Sequence, residues 1–147
     1  MQYGVSLDTE QALSGGKGKQ KAEIMMRYFT EEHEYVDVVG DEATVGITEY
    51  AADLLGGIAD LDLPEEGDDF IIGDSVGDIE GEESDLPLVS PLSGSVFQVN
   101  EGVLDDPEII IESPEDRGWL FKMTDFDSSE LDDMMTEDEY LKMVESL

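Results

Sequence analysis

The chain of 147 residues and 16.2 kDa has room for one domain and a short tail. Seven basic against 39 acidic side chains leave a formal charge of −32, which excludes binding to a nucleic-acid backbone or to an anionic membrane surface, since both select Lys and Arg clusters. The absence of cysteine excludes a disulfide scaffold, a thiolate metal site and cysteine catalysis, and no stretch approaches the roughly 18 apolar residues of a membrane-spanning helix.

Residues 1–24 are polar and glycine-rich around Ser14-Gly15-Gly16-Lys17-Gly18-Lys19-Gln20-Lys21. Without an apolar period they read as a flexible arm or linker, leaving residues 25–147 as one domain. The lysines raise the option of a mitochondrial transit peptide, which Asp8, Glu10 and Glu23 oppose. After Arg27 the chain holds three basic and 36 acidic side chains, about −33. Such a surface fits a basic partner or a high-salt setting in which repulsion is screened.

From Tyr35 the pattern is that of short strands. Tyr35–Val39 and Ala43–Ile47 flank the turn Gly40-Asp41-Glu42 and predict a hairpin. Thr48 caps a short helix through Leu55, which Gly56-Gly57 ends. Ile58–Leu63 alternates; Phe70–Ile72 and Val76–Glu80 are short strands around Gly73-Asp74. Gly81-Glu82-Glu83-Ser84 is a tight exposed turn, followed by strands at Asp85–Val89 and Ser95–Asn100, a helical or irregular piece at Pro107–Glu112, and a last strand at Gly118–Met123. The period then changes: Leu131, Met134 and Met135 stand at i, i+3, i+4. Thr136 with Glu139 makes a capping box for a final helix carrying Tyr140, Leu141, Val144 and Leu147. Leu131, Met134, Leu141 and Val144 are expected to pack the two closing helices on the strands. The class is mainly β, a small sandwich or barrel.

No nucleophile–base set, Walker loop or dinucleotide fingerprint is present, so an enzyme is not indicated. The acid runs Asp60–Asp69 and Asp74–Asp85 lack EF-hand spacing and read as solvated turns. His33, the single histidine, lies in Glu31-Glu32-His33-Glu34, where the flanking carboxylates are expected to favour its charged form. It reads as a surface or half-buried residue tying the chain entry to the sheet.

An ordered set of segments carries a stronger signal: Thr30-Glu31-Glu32-His33-Glu34, Val45-Gly46-Ile47-Thr48-Glu49-Tyr50-Ala51, Leu55-Gly56 with Ile58, Leu63-Pro64 with Gly67-Asp68, Glu80, Ser90-Pro91-Leu92-Ser93-Gly94 with Val96 and Val99-Asn100-Glu101, Pro107-Glu108, and Gly118-Trp119-Leu120-Phe121-Lys122. Together they resemble the H protein of the glycine cleavage system from about Tyr28 to the C-terminus. The resemblance implies a lipoyl-domain-like hybrid barrel-sandwich with two short C-terminal helices. It also implies a carrier that is not an enzyme. In that family a lipoyl group on a turn lysine shuttles the aminomethyl group of glycine among the P, T and L proteins, a tethered arm raising the effective concentration of one intermediate at several sites. A monomer is expected, in the cytoplasm of a prokaryote or the mitochondrial matrix of a eukaryote.

The same resemblance marks a departure. The family reads Glu-Ser-Val-Lys-Ala at the lipoyl turn; this chain reads Glu80-Gly81-Glu82-Glu83-Ser84. Counting back from Ser90-Pro91 puts Glu83 on the lysine's position, and no lysine lies between Lys21 and Lys122. The implied cofactor-site residues are thus Glu83, with Glu80, Ser84 and His33, and no catalytic or metal-binding residue. Lipoate belongs to the family, and none is expected on this chain. Tyr35 for the usual Trp, Asp60 at an apolar strand position and Ile111 for the usual Asn are smaller departures. The alternative reading is a non-lipoylated acidic β-domain that serves as a protein-interaction module.

Overall fold

A computed structural model describes residues 25–147; the expected arm at 1–24 lies outside the described residues. Nine strands, β1 (Met26–Phe29), β2 (Glu34–Val39), β3 (Glu42–Ile47), β4 (Ile58–Asp62), β5 (Asp69–Phe70), β6 (Ser75–Gly81), β7 (Asp85–Val89), β8 (Gly94–Val99) and β9 (Phe121–Thr124), form two antiparallel sheets. One has the order β1-β2-β3-β9-β8-β5 and the other β4-β6-β7. Helices α1 (Glu49–Leu55), α2 (Glu101–Asp105), α3 (Glu108–Glu112) and α4 (Glu137–Glu145), and a 3-10 helix at Ser128–Asp133, are the other elements among the described residues. The β-sandwich with helices at its C-terminal end is the class expected from the sequence.

The β2–β3 hairpin follows from period-2 alternation, Val36 and Val45 facing each other in register with both side chains buried. Thr48 caps α1 by accepting the Ala51 N–H, and Gly56 ends it in the left-handed region at φ +74°. The main core joins Val36, Val45, Ile47, Ala51, Leu55, Ile79, Leu88, Leu92, Val96, Ile110, Leu120 and Phe121. A second, smaller cluster of Phe29, Tyr35 and Tyr140 lies under α4. Arg27 clamps the sheet edge: Nε donates to Asp37 Oδ1 at 2.6 Å, Nη1 to Glu115 Oε1 at 3.0 Å, and the guanidinium lies 4.6 Å from the Tyr35 ring centroid.

Several expectations need correction. Met26–Phe29 forms a strand that local pattern did not mark, and Glu101–Asp105 is a helix, capped by the Asn100 side chain on Gly102 N–H. The expected strand Phe70–Ile72 stops at Phe70, because Ile71 and Asp74 close a turn on each other through both backbone and side chain. The last strand starts at Phe121, not Gly118: the carbonyls of Arg117 and Trp119 are taken by the Asn100 amide. The first closing helix is a 3-10 helix, whose period of three also satisfies the Leu131–Met134 spacing. In α4 the buried side chain is Tyr140, while Leu141, expected in the interface, is 49% exposed.

Candidate functional site

The β6–β7 hairpin presents the residues singled out at the lipoyl turn. Glu80 pairs with Asp85, and the Gly81 N–H donates to the Ser84 carbonyl at 2.9 Å, leaving Glu82 and Glu83 at the tip. Glu80, Glu82, Glu83 and Ser84 are all exposed. The tip is not free-standing. Glu83 N–H donates to the Leu55 carbonyl at 3.0 Å and Glu82 N–H to the Gly57 carbonyl at 3.1 Å, so the turn is docked on the end of α1. The Glu82 and Glu83 side chains lie over Gly57 and Gly56, where a Cβ would come within 2.6 and 2.8 Å of their carbon atoms. A helix C-terminus carries partial negative charge and favours a cation. The chain instead places two carboxylates there.

His33 sits elsewhere. It packs near the start of α1, against Tyr50 with ring centroids 4.8 Å apart, while the hairpin tip meets the helix end, a seven-residue helix away, or about 10 Å. The structure therefore brings Glu80, Glu83 and Ser84 together and leaves His33 apart. His33 is half-buried, as expected, and its backbone is left-handed at φ +66°. Its charged form is not favoured: burial lowers the imidazole below its ordinary value, and the opposing pull of Glu32 is the smaller effect. Nδ1 lies 2.8 Å from the Tyr140 hydroxyl, which is 2.7 Å from Thr48 Oγ1.

Beside it stands a residue that sequence reasoning passed over. Glu34 is 1% exposed; Oε2 accepts the Val89 N–H at 3.2 Å, while Oε1 has no partner among the described residues. Burial, only partly offset by the Val89 N–H, pushes its carboxyl well above the usual carboxylate range. The signal was present in the sequence, since Glu34 shares a strand face with Val36 and Val38. Near Val89 a cleft of about 350 Å³ is floored by Phe29, Met134 and Met135 and walled by Glu31, Glu32, Glu130 and Asp133, a lining that repels anions.

Compared with known families, the chain matches the glycine cleavage H-protein profile over residues 27–147, a range that takes in both sheets and the C-terminal helices. The chain belongs to the glycine cleavage H-protein family. The H protein of Staphylococcus carnosus is 42% identical over 116 residues, which cover 79% of this chain and 92% of that one. The H protein of Bartonella tribocorum is 37% identical over 117 residues, covering 80% and 96%. In three dimensions the chain is similar to the H protein of Mycobacterium marinum, with a TM-score of 0.72 and 31% identity over 80% of this chain and 94% of that one. H proteins are lipoate carriers and not catalysts, and they work with the other components of the glycine cleavage system.

Proposed function

We propose that this chain is an H-type component of the glycine cleavage system whose lipoyl position is filled by Glu83, so that it carries no lipoate. One observation supports this most directly: the tip of the β6–β7 hairpin displays carboxylates and no amine. A lipoyl group is held through an amide to a lysine amine. The tip offers no such nucleophile, and the next lysine along the chain, Lys122, is half-buried on β9 with its ammonium 5.1 Å from the Trp119 ring centroid. No step of glycine cleavage is routed through this chain alone. It acts as a monomer that keeps the family's docking surfaces for the P, T and L proteins.

The test is to offer the chain and its Glu83→Lys variant to a lipoate–protein ligase with lipoate and ATP, and to weigh both. The parent should stay at its own mass and the variant should gain one lipoyl group. Lipoylation of the parent would overturn the reading. Failure of the folded variant to accept lipoate would mean that the hairpin has diverged beyond one position. That outcome favours the second reading, an acidic interaction module for a basic partner, which the carboxylate excess supports.

A further inference from the structure

Helix α4 reaches the body of the protein through one polar group. Among the described residues, both hydrogen bonds from α4 side chains to the body are made by the Tyr140 hydroxyl, to Thr48 Oγ1 at 2.7 Å and His33 Nδ1 at 2.8 Å. The Tyr140 ring stacks on Phe29 with centroids 4.9 Å apart and planes 15° from parallel. Polar and apolar contacts can therefore be separated by removing one oxygen.

Thr48, Tyr140 and His33 are linked in series. Thr48 Oγ1 accepts the Ala51 N–H as the cap of α1. The Tyr140 hydroxyl lies between Thr48 Oγ1 and His33 Nδ1, and one proton order that satisfies all three has Thr48 donating to the Tyr140 oxygen and the Tyr140 hydroxyl donating to Nδ1 of a neutral His33. Around His33 the backbone is equally tied. Thr30 N–H donates to the Glu34 carbonyl at 2.9 Å, His33 N–H to the Thr30 carbonyl at 3.2 Å, and Thr48 N–H to the His33 carbonyl at 3.0 Å. This turn holds a residue with a Cβ in the left-handed region, a conformation that persists only where the surroundings fix it. The residue it delivers into β2 is Glu34, buried with one oxygen unpaired among the described residues. A carboxyl so placed gains by reaching water, and His33 is its immediate neighbour in the chain, at the end of the turn that leads into β2.

We propose that Tyr140 is a positioning residue: through its hydroxyl and His33, α4 latches the Thr30–Glu34 turn and keeps the Glu34 carboxyl inside the fold. The C-terminal helix thereby governs the state of a buried acid on a different element. This role is independent of what residue 83 carries.

The experiment follows the Glu34 carboxyl carbon by NMR through a pH titration of the full chain, the Tyr140→Phe variant and the His33→Asn variant. Phenylalanine keeps the stack on Phe29. Asparagine tolerates the left-handed backbone, but its shorter side chain does not reach the hydroxyl. In the parent, Glu34 should titrate above the ordinary carboxylate range. In each variant its midpoint should fall by about one pH unit, a tenfold loss of proton affinity. Leu141→Ser, on the exposed face of α4, should leave it in place. A merely structural role for Tyr140 would lower the melting temperature without moving the titration of a native-state group. An unchanged Glu34 midpoint in the folded variants would overturn the proposal, as would an equal shift in Leu141→Ser. Should Tyr140→Phe fail to fold, His33→Asn decides alone.

Discussion

Glu83 lies over Gly56: a Cβ on that glycine would come within 2.8 Å of Glu83 Cγ and Cδ. Gly56 is also the left-handed cap of α1, at φ +74°, with its N–H on the Ala52 carbonyl at 3.2 Å. The cap that ends the helix and the shelf that supports the hairpin tip are one residue, and any side chain there displaces the group at position 83.

Gly56→Ala should accordingly destabilise the protein by about 1–2 kcal/mol, from backbone strain at positive φ together with the displaced side chain. Urea denaturation measures it. A loss within about 0.3 kcal/mol would show that the hairpin tip is not seated on the cap.

For Glu34 the expected outcome is a pH slope. Its folded-state carboxyl lies above the unfolded value because burial disfavours the charge. Its favourable contribution is therefore complete below the unfolded value, about 4.3, and is lost as pH rises through the folded value. Glu34→Gln cannot ionise, so its stability relative to the parent should increase as pH rises above the unfolded carboxyl value and through the raised folded one. Denaturation of both proteins at matched ionic strength gives the difference. Any fixed effect of the amide cancels in the slope, and a pH-independent difference would contradict the burial of a titrating carboxyl.

What the sequence made legible was local. Thr48 and Gly56 bracket α1, and the Thr136–Glu139 capping box forms in both directions. Each of these signals is self-contained within a few residues. Met26–Phe29 escaped because it is a strand only by pairing with β2 and by the bridge of Phe29 to Met135, a contact distant in sequence. Leu141 was misplaced because an amphipathic period defines a face and not its edge; Tyr140, one position earlier, takes the buried place. At the hairpin, exposure and turn geometry could be read from Gly81–Ser84, whereas its docking on Leu55 and Gly57 could not, since backbone hydrogen bonds between distant segments leave no mark on side-chain pattern. The neutral preference of His33 was hidden for the same reason: adjacent acids are visible in sequence, and the burial that outweighs them is not.

The carboxylate excess makes a further prediction. Among the described residues the ion pairs are Arg27 with Asp37 and Glu115, and Arg117 with Glu112, so most acids face one another through solvent. Their repulsion should oppose the compact state at low ionic strength and fade as the Debye length falls toward about 3 Å near 1 M salt. Thermal melts in rising KCl should show a rising midpoint. A flat or falling series would mean that the charges are already compensated locally.

The central claim is that an H-type fold here displays a carboxylate where its relatives attach lipoate. The most direct measurement is the intact mass of the protein purified from its native source, followed by peptide mapping across Gly81–Ser84. The account predicts a mass without lipoate and an unmodified Glu83. A lipoyl group on any residue of the chain would contradict it.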